Sequence, residues 1–390
     1  MKIAPEISDS LELRFSKLAR KKNTRGESII SLGLGEPAFP TPAPIIQAAT
    51  QAMQDGYTRY SNPLGLQSLR EKIVAKLDRE NGITTTAEEI IVTPGAKMAL
   101  SLALSAILKP GDEVINISPC YPSYFAQFKI AEPDCIVHNV NLRQQDLSLD
   151  INGIASKLGP KTRAVVLNFP HNPTGRILHE PEIKALVDIL SEHHCYVISD
   201  EIYERLNHSG APFVSFASYP ALAKRTLTIN GFSKAFSMTG WRIGYLVVPE
   251  PQLMTVVSRL QQHLNTNTAT FVQKAAEAAL DLPPDHLESY NRDLAKNSAT
   301  LQAMTARTPS LRVGSAEGGL FAFMNISGCN LDSDTFALQL LEKEGVAAIP
   351  GITFGAEWDR HLRISLATDP ASFTEGVARI ERFANDLTSV

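Results

Sequence analysis

The sequence of 390 residues has few of the features that mark secreted, metal-bound or membrane-embedded proteins. Its four cysteines are widely spaced, with no CxxC pair and no Cys/His cluster at zinc spacing, so we expect buried, reduced thiols and no metal site. No apolar run approaches the roughly 20 residues that cross a bilayer. The first ten residues have no apolar core that would direct export. These absences predict a cytoplasmic protein that does not enter membranes.

The chain also has no excess of either charge. Lysine and arginine total 37 against 41 acidic residues, which gives a formal net charge of -4. This balance predicts no binding to nucleic acid or to an anionic membrane surface, and we interpret the short basic cluster Arg20–Arg25 as a solvated helix end. With 44% hydrophobic residues the chain is ordinary for a globular protein, and its length predicts two or three domains or one large α/β domain with an appendage.

Short apolar runs alternate with helical segments through the middle of the chain. The predicted strands there are Ile90–Thr93, Glu113–Ile117, Ile136–Val140, Arg163–Asn168, Tyr196–Ser199 and Thr226–Asn230. The main predicted helices span 8–25, 41–54, 66–79, 96–108, 180–193, 253–280 (in one or two pieces) and 284–305, and Ser8 or Asp9 is the expected cap of the first. Continuous β-branched runs separated by helices are typical of a mainly parallel sheet covered on both faces, so we predict an α/β fold.

The pattern changes after residue 311. Short strands at Gly319–Asn325, Val346–Ile349 and Leu362–Ser365, with a helix at Ser333–Glu344 and another at the end, predict a smaller α+β unit. A further short strand is predicted at Ser28–Leu32. We therefore predict three parts: an N-terminal arm (1–45) that packs with the small domain, a large domain (46–285) and a small domain (286–390).

Polar groups follow four of the predicted strands directly. They are Gly95–Lys97, Asn172, Asp200 with Tyr203, and Lys234. Ligands of parallel α/β sheets bind beyond the carboxyl ends of the strands, and a helix start such as Gly95–Lys97 suits a phosphate. Lys234 is followed eight residues later by Arg242, and a carbonyl cofactor with a phosphate needs such an amine for a Schiff base and such a guanidinium for the phosphate.

Each of these groups has a plainer interpretation. Gly95 ends a strand, Asn172 precedes a proline in a common turn signal, Asp200 caps a helix, Tyr203 belongs to the core, and Lys234 is a solvated surface charge. The turn Gly33–Pro37 is similarly either a simple turn or a close approach of the backbone to a ligand. The presence of all these groups at strand ends of one sheet favours a shared site.

Three motifs resemble signatures of the class I/II aminotransferases, the fold-type I pyridoxal-phosphate enzymes of the aspartate aminotransferase superfamily. They are Asn172–Gly175, Asp200–Tyr203 and Ser233–Arg242, and the resemblance runs from Leu32–Pro37 to Leu362–Ser365. It implies a mainly parallel seven-stranded sheet between helices, with a smaller α+β domain. It also implies pyridoxal 5'-phosphate as cofactor and ping-pong transfer of an amino group from an L-amino acid to a 2-oxo acid, 2-oxoglutarate or pyruvate.

The resemblance assigns three residues to catalysis. Lys234 would hold the cofactor as an aldimine and, once freed by substrate, move the proton between Cα and C4′. A desolvated lysine near other cations has a lowered pKa, which suits this general base. Asp200 would keep the pyridine nitrogen protonated, and Tyr203 would hydrogen-bond the ring's 3-oxygen together with Asn172.

The resemblance assigns other residues to binding. Those expected at the cofactor are Ala96, Lys97, Ser233 and Arg242 at the phosphate, Tyr121 on the ring face, and Tyr60 reaching the phosphate of the neighbouring subunit. Arg363 would grip the substrate α-carboxylate, with contacts from Gly35 and Asn172. The role of Tyr60 implies a homodimer with shared active sites.

Several alternatives stay open. A C–S β-lyase or an amino acid oxidase would use nearly the same cofactor site, and a transcription regulator with an aminotransferase-like domain is disfavoured because only about 45 residues precede the large domain. No residue can be assigned to the substrate side chain, so aspartate, alanine, aromatic and basic amino acids all remain candidates. Phe15, Phe39 and Phe354 would suit apolar donors or simply pack in the core. Glu317 stands where many relatives carry proline.

Overall fold

The structure is a computed structural model that describes residues 11–388. Its strands are β1 Ile30–Ser31, β2 Ile90–Thr93, β3 Glu113–Ser118, β4 Ile136–Asn141, β5 Thr162–Asn168, β6 Tyr196–Asp200, β7 Thr226–Gly231, β8 Gly244–Val247, β9 Arg312–Val313, β10 Phe321–Asn325, β11 Val346–Ala347, β12 Ile349–Pro350 and β13 His361–Ser365. Its α-helices are α1 Leu11–Asn23, α2 Ala43–Gln54, α3 Gln67–Lys76, α4 Ala96–Ile107, α5 Ser123–Ala131, α6 Ile151–Lys157, α7 Glu180–Ser191, α8 Pro220–Ala223, α9 Pro251–Leu264, α10 Thr270–Leu280, α11 Glu288–Arg307, α12 Ser333–Glu344 and α13 Pro370–Thr388.

Seven strands form the large sheet, in the order β2-β8-β7-β6-β5-β3-β4. Neighbouring strands are parallel except for β8, which runs antiparallel to both β2 and β7. The predicted mainly parallel α/β sheet is therefore confirmed. Because the other six strands share one direction, their carboxyl ends lie along the same edge of the sheet.

Both faces of this sheet are buried, which explains why its strands are continuously apolar. In β2, Ile91 packs into a core with residues of α4 and α9, whereas Ile90 and Val92 pack into a second core with residues of α3 and α10. Successive side chains of a strand point to opposite faces, so a strand covered by helices on both sides needs apolar residues throughout.

A smaller, antiparallel sheet has the order β12-β13-β10-β9. A separate parallel pair joins β1 to β11, with Ile30 opposite Val346. Helix α1 contacts β11 and β12 and buries Phe15 completely. This early segment thus lies against late elements of the chain, while the domain limits at residues 45 and 285 stay predictions.

Some predicted elements were wrong. The single strand Val346–Ile349 is two strands in different sheets, and the strand at Ser28–Leu32 is only two residues long. Helices α5 and α6 were missed. In α5 the apolar residues Tyr124, Phe125, Phe128 and Ile130 are spread around the helix, so no single apolar face marks it. The helix predicted over 8–25 is described only from Leu11, and its expected caps Ser8 and Asp9 lie outside the described residues.

Candidate active site

A cavity of about 550 Å³ opens beyond the carboxyl ends of the parallel strands. It brings together nearly all the predicted site residues, namely Gly35, Ala96, Lys97, Tyr121, Asn172, Asp200, Tyr203, Ser233, Lys234, Arg242 and Arg363. Tyr60 is not among its lining residues and is 86% exposed. The cavity also contains residues that the sequence did not point to, of which Glu12, Tyr124, Asn168 and Phe321 matter below.

Asp200, the last residue of β6, is a buried carboxylate within the cavity wall. Tyr124 donates a hydrogen bond of 2.7 Å to Asp200 Oδ2, and the Ile202 amide donates one of 3.3 Å to Oδ1. Burial raises the pKa of Asp200, while the Tyr124 hydrogen bond and the charge of Lys234 oppose that rise. A cationic or N–H group from a ligand would stabilise this carboxylate further, because the site is shielded from water.

Lys234 lies just past β7 and is half-buried. Its Nζ donates a hydrogen bond to the Gly35 carbonyl oxygen and lies 5.7 Å from the centre of the Tyr203 ring. Desolvation and the nearby Arg363 charge lower the pKa of Lys234 to about 8, against opposing effects of Glu36 and Glu12. The amine is thus partly neutral near physiological pH, which a nucleophile or general base requires.

The start of α4 and the segment before β8 form an anion-binding corner. Gly95, with φ of 83°, precedes the free amides of α4, and a Cβ at this position would fall under 3.0 Å from Arg242 Nη2. Arg242 has φ of 55° and donates a hydrogen bond of 3.0 Å to the Thr239 carbonyl oxygen. Only glycine leaves room for the guanidinium beside the helix start, where the helix dipole and the free N–H groups favour a phosphate.

A second arginine, Arg363 of β13, is almost completely buried at 2% exposure. Its guanidinium lies 4.0 Å from the centre of the Phe321 ring and donates to Asn172 Oδ1 at 3.3 Å and to the Gly33 carbonyl oxygen at 3.0 Å. Its Nη1 also forms an ion pair with Glu12 Oε1 at 2.6 Å. The aromatic contact and the two hydrogen bonds to neutral acceptors fix the guanidinium in place, and the Glu12 ion pair shows that this position suits a carboxylate.

The aromatic residues complete the cavity. Tyr203 is 5% exposed, and burial raises its pKa despite the Arg363 charge. Tyr121 packs edge-to-face against Tyr124, with ring centres 5.6 Å apart, and Lys97 Nζ lies 5.5 Å from the centre of the Tyr121 ring. Asn168 links two other residues of the cavity wall, because its side chain donates a hydrogen bond to the Asp200 carbonyl oxygen and accepts one from the Asn172 amide.

Two of the residues missed in the sequence were missed for different reasons. Tyr124 comes from the unpredicted helix α5, and Asn168 was read only as the end of a strand. Glu12 lies 351 residues before Arg363 in the chain, and no local pattern relates the two. Phe321 lies in a run of successive apolar residues in a predicted strand, which by itself indicates core packing.

The described part of the chain shows neither a metal-binding cluster nor a membrane-spanning helix. Residues 11–388 contain no group of three or more His, Cys, Asp or Glu side chains arranged to hold a metal ion. No helix between these limits has both the length and the apolar character needed to cross a membrane. All four cysteines are buried and unpaired.

Comparison with known proteins gives a consistent result. The profile of the family "Aminotransferase class I and II" matches residues 27–380. The aspartate aminotransferase of Geobacillus stearothermophilus is 35% identical, over 98% of this chain and 99% of the relative. The arginine–pyruvate transaminase of Pseudomonas aeruginosa is 33% identical, over 99% and 97%. The structure of the Thermus thermophilus aspartate aminotransferase with maleate superimposes with a TM-score of 0.91 at 32% identity, covering 98% and 100%.

Proposed function

Because the chain belongs to the class I and II aminotransferases, a family of pyridoxal-phosphate enzymes, we propose that this transaminase holds pyridoxal 5'-phosphate in the cavity and moves an amino group from an L-amino acid to 2-oxoglutarate or pyruvate. The observation that carries the proposal is the placement of Lys234, with its lowered pKa, in one cavity with a buried carboxylate and two arginines. When bound, this cofactor supplies an electron sink that stabilises negative charge at the substrate Cα.

The residues present fit the cofactor. The anion-binding corner suits its phosphate, with the amides of Ala96 and Lys97, the Ser233 hydroxyl and the Arg242 guanidinium as ligands. The glycine at position 95 supports this assignment, since any side chain there would fill the space beside Arg242. The phosphate end of the site therefore consists of residues from β2–α4 and from the segment that enters β8.

The ring of the cofactor would be held by the remaining groups. Asp200, whose pKa burial has raised, would be stabilised as a carboxylate by pairing with the protonated pyridine nitrogen. Tyr203 and Asn172 would hydrogen-bond the 3-oxygen, and Tyr121 would lie against the ring face. Asn172 already accepts a hydrogen bond from Arg363, which links the cofactor side of the cavity to the substrate side.

Lys234 and Arg363 would act on the substrate. Lys234 Nζ would hold the cofactor covalently, and its free, neutral amine would accept the proton from the substrate Cα. Arg363 binds the α-carboxylate, with a backbone contact from Gly35, and fixes the Cα near Lys234. Exclusion of water by α1 and the small sheet would strengthen these charge interactions.

We extend the proposal to a homodimer in the cytoplasm that shares its active sites. Tyr60 is 86% exposed and follows the exposed apolar residues Met53 and Tyr57 closely in the chain, so a second subunit would cover apolar side chains there. Mass measurement in solution tests the dimer. A mixed dimer of one Tyr60→Phe subunit and one Lys234→Ala subunit tests whether each active site contains residues of both subunits. If it does, one site of the mixed dimer carries both changes and the other site carries neither.

The decisive experiment is a screen of amino donors with pyruvate and with 2-oxoglutarate. Wild type should form a new amino acid from the oxo acid, and Lys234→Ala should lose nearly all turnover, while the exposed control Lys224→Ala should keep it. Ammonia release without an oxo acid would indicate a lyase, and oxygen consumption an oxidase. The related enzymes are named for aspartate in one case and for arginine with pyruvate in another, so family membership leaves the side-chain class open.

A further inference from the structure

The ion pair between Glu12 and Arg363 places a carboxylate of the chain itself at the proposed substrate-binding arginine. Glu12 Oε1 lies 2.6 Å from Arg363 Nη1, with the arginine side chain 2% exposed and the glutamate side chain 23% exposed. Both residues line the cavity. The inference below rests on the proposed function, in which Arg363 binds the substrate α-carboxylate.

The hydrogen bonds of Arg363 show what a substrate must displace. Nη2 donates to the Gly33 carbonyl oxygen, and Nη1 is shared between Asn172 and Glu12. Among the described residues, the buried Nε has no hydrogen-bond partner. A bidentate α-carboxylate therefore needs the position of the Glu12 carboxylate, and the two acids compete for one guanidinium.

Glu12 stays near the cavity when it leaves Arg363, because α1 is anchored by residues that directly follow it. Phe15 is completely buried in the core, and Arg14 forms an ion pair of 2.8 Å with Asp334. The negative charge of Glu12 already extends into the site, since it opposes the lowering of the pKa of Lys234. Once a substrate neutralises Arg363, the charge of Glu12 has lost its partner.

Within one subunit, the described lining residues include no spare arginine for a second substrate carboxylate. Its cationic lining residues are Lys97, Lys234, Arg242 and Arg363, and three of these have roles in the proposed mechanism. The fourth, Lys97, is exposed and stacks over Tyr121. The acidic lining residues Glu12 and Glu36 instead bring negative charge close to Lys234.

We propose that Glu12 is a specificity-determining residue that selects against substrates with a second carboxylate. Both halves of a transamination use the same cavity, so the restriction applies to donor and acceptor alike. The accepted oxo acid is then a monocarboxylate of the pyruvate class, in preference to 2-oxoglutarate. The accepted donors have neutral or cationic side chains, and cationic ones pair with the released Glu12 carboxylate.

The test compares Glu12→Gln with wild type, using the holoenzyme and one donor that wild type accepts. Wild type should show a higher kcat/KM for pyruvate than for 2-oxoglutarate. Glu12→Gln should raise kcat/KM for 2-oxoglutarate relative to pyruvate by about tenfold or more, because like charges in a partly desolvated site repel at an effective dielectric constant of about 20. Glu27→Gln removes an exposed glutamate that pairs with Lys22 and should leave this ratio unchanged.

A binding measurement separates charge from any effect on folding. Calorimetric titration of the holoenzyme with propionate and with maleate should show that Glu12→Gln strengthens maleate binding much more than propionate binding. Equal changes for both acids would overturn the proposal, since they would indicate that Glu12 only positions α1. A wild-type enzyme that uses 2-oxoglutarate as well as pyruvate would also overturn it and leave the proposed function standing, whereas no transamination with any pair would refute the proposed function.

Discussion

Replacement of Gly95 by alanine should weaken cofactor binding through Arg242. Gly95 has φ of 83° and ψ of 162°, a backbone conformation that is nearly exclusive to glycine. A Cβ there would fall under 3.0 Å from two atoms of the Arg242 guanidinium, Cζ and Nη2. The guanidinium has to move, and the phosphate would lose a charge-assisted hydrogen bond from it.

Two separate magnitudes follow from this geometry. A hydrogen bond to a charged group contributes about 1.5–3 kcal/mol, so the affinity for pyridoxal phosphate should fall by about 10- to 150-fold. Backbone strain should lower the free energy of unfolding by about 1–3 kcal/mol, with or without cofactor. Gly111 is a matched control, because it has φ of 80° and nothing within 4 Å of an added Cβ. The Gly111→Ala protein should be less stable and should keep the wild-type affinity for pyridoxal phosphate.

The assay titrates cofactor-free protein with pyridoxal phosphate and follows the absorbance of the bound form. Thermal unfolding of the same samples reports the strain. Wild-type affinity in Gly95→Ala would refute the role of Arg242 in phosphate binding. An equal loss of affinity in Gly111→Ala would show that strain in general, rather than displacement of the guanidinium, weakens binding.

Three further predictions concern buried charges. Tyr124→Phe removes the 2.7 Å hydrogen bond to Asp200 and should raise the pKa of Asp200 further, weakening cofactor affinity about tenfold in titrations above pH 7. Lys234 loses its proton as the pH rises through its pKa of about 8. The covalent binding of pyridoxal phosphate to cofactor-free protein should therefore become about tenfold faster between about pH 7 and about pH 9. Stopped-flow absorbance measures this rate. Lys76→Met leaves Glu204 buried without its ion-pair partner and should cost about 3–5 kcal/mol in denaturant unfolding.

Two of these predictions have a control variant in the chain. Tyr196 donates an equally short hydrogen bond, 2.7 Å, to Glu250 at the other end of β6, so Tyr196→Phe should keep cofactor affinity. Lys72 pairs with Asp281 at the surface, and Lys72→Met should cost less than about 1 kcal/mol. A rate of covalent cofactor binding that does not change between about pH 7 and about pH 9 would contradict the lowered pKa of Lys234. A Lys76→Met protein as stable as wild type would contradict the stabilising role of the buried ion pair.

Strands and the strand-end residues were the predictable part of this protein. Ile90–Thr93 has the predicted limits, and Asp200 and Lys234 line one cavity because parallel strands end at one edge. Their chemical roles stay proposals, supported by the family. Strand β8 was not among the predicted strands, and its antiparallel direction could not follow from composition, because a short apolar run has the same composition in either direction.

Contacts between distant segments were the unpredictable part. The partner of β1 is β11, and a two-residue strand carries too little pattern to identify a partner more than 300 residues away. Likewise, Glu12 belongs to a helix whose polar residues all look solvated in sequence, and only the folded chain places its carboxylate at Arg363. Periodicity reports which face of an element is buried, whereas it does not report which other element covers that face.

The antiparallel strand β8 has a consequence for local unfolding. Strand β2 is at the edge of the large sheet and pairs there only with β8, so the helix start at Ala96 and the side chain of Arg242 belong to neighbouring strands. A phosphate held by both cross-links the outermost pair of strands. The amides of β2 should then exchange their hydrogens faster in the cofactor-free protein than in the loaded one, whereas those of the central strand β6 should change little. The bound cofactor would thus stabilise the edge of the large sheet against local unfolding.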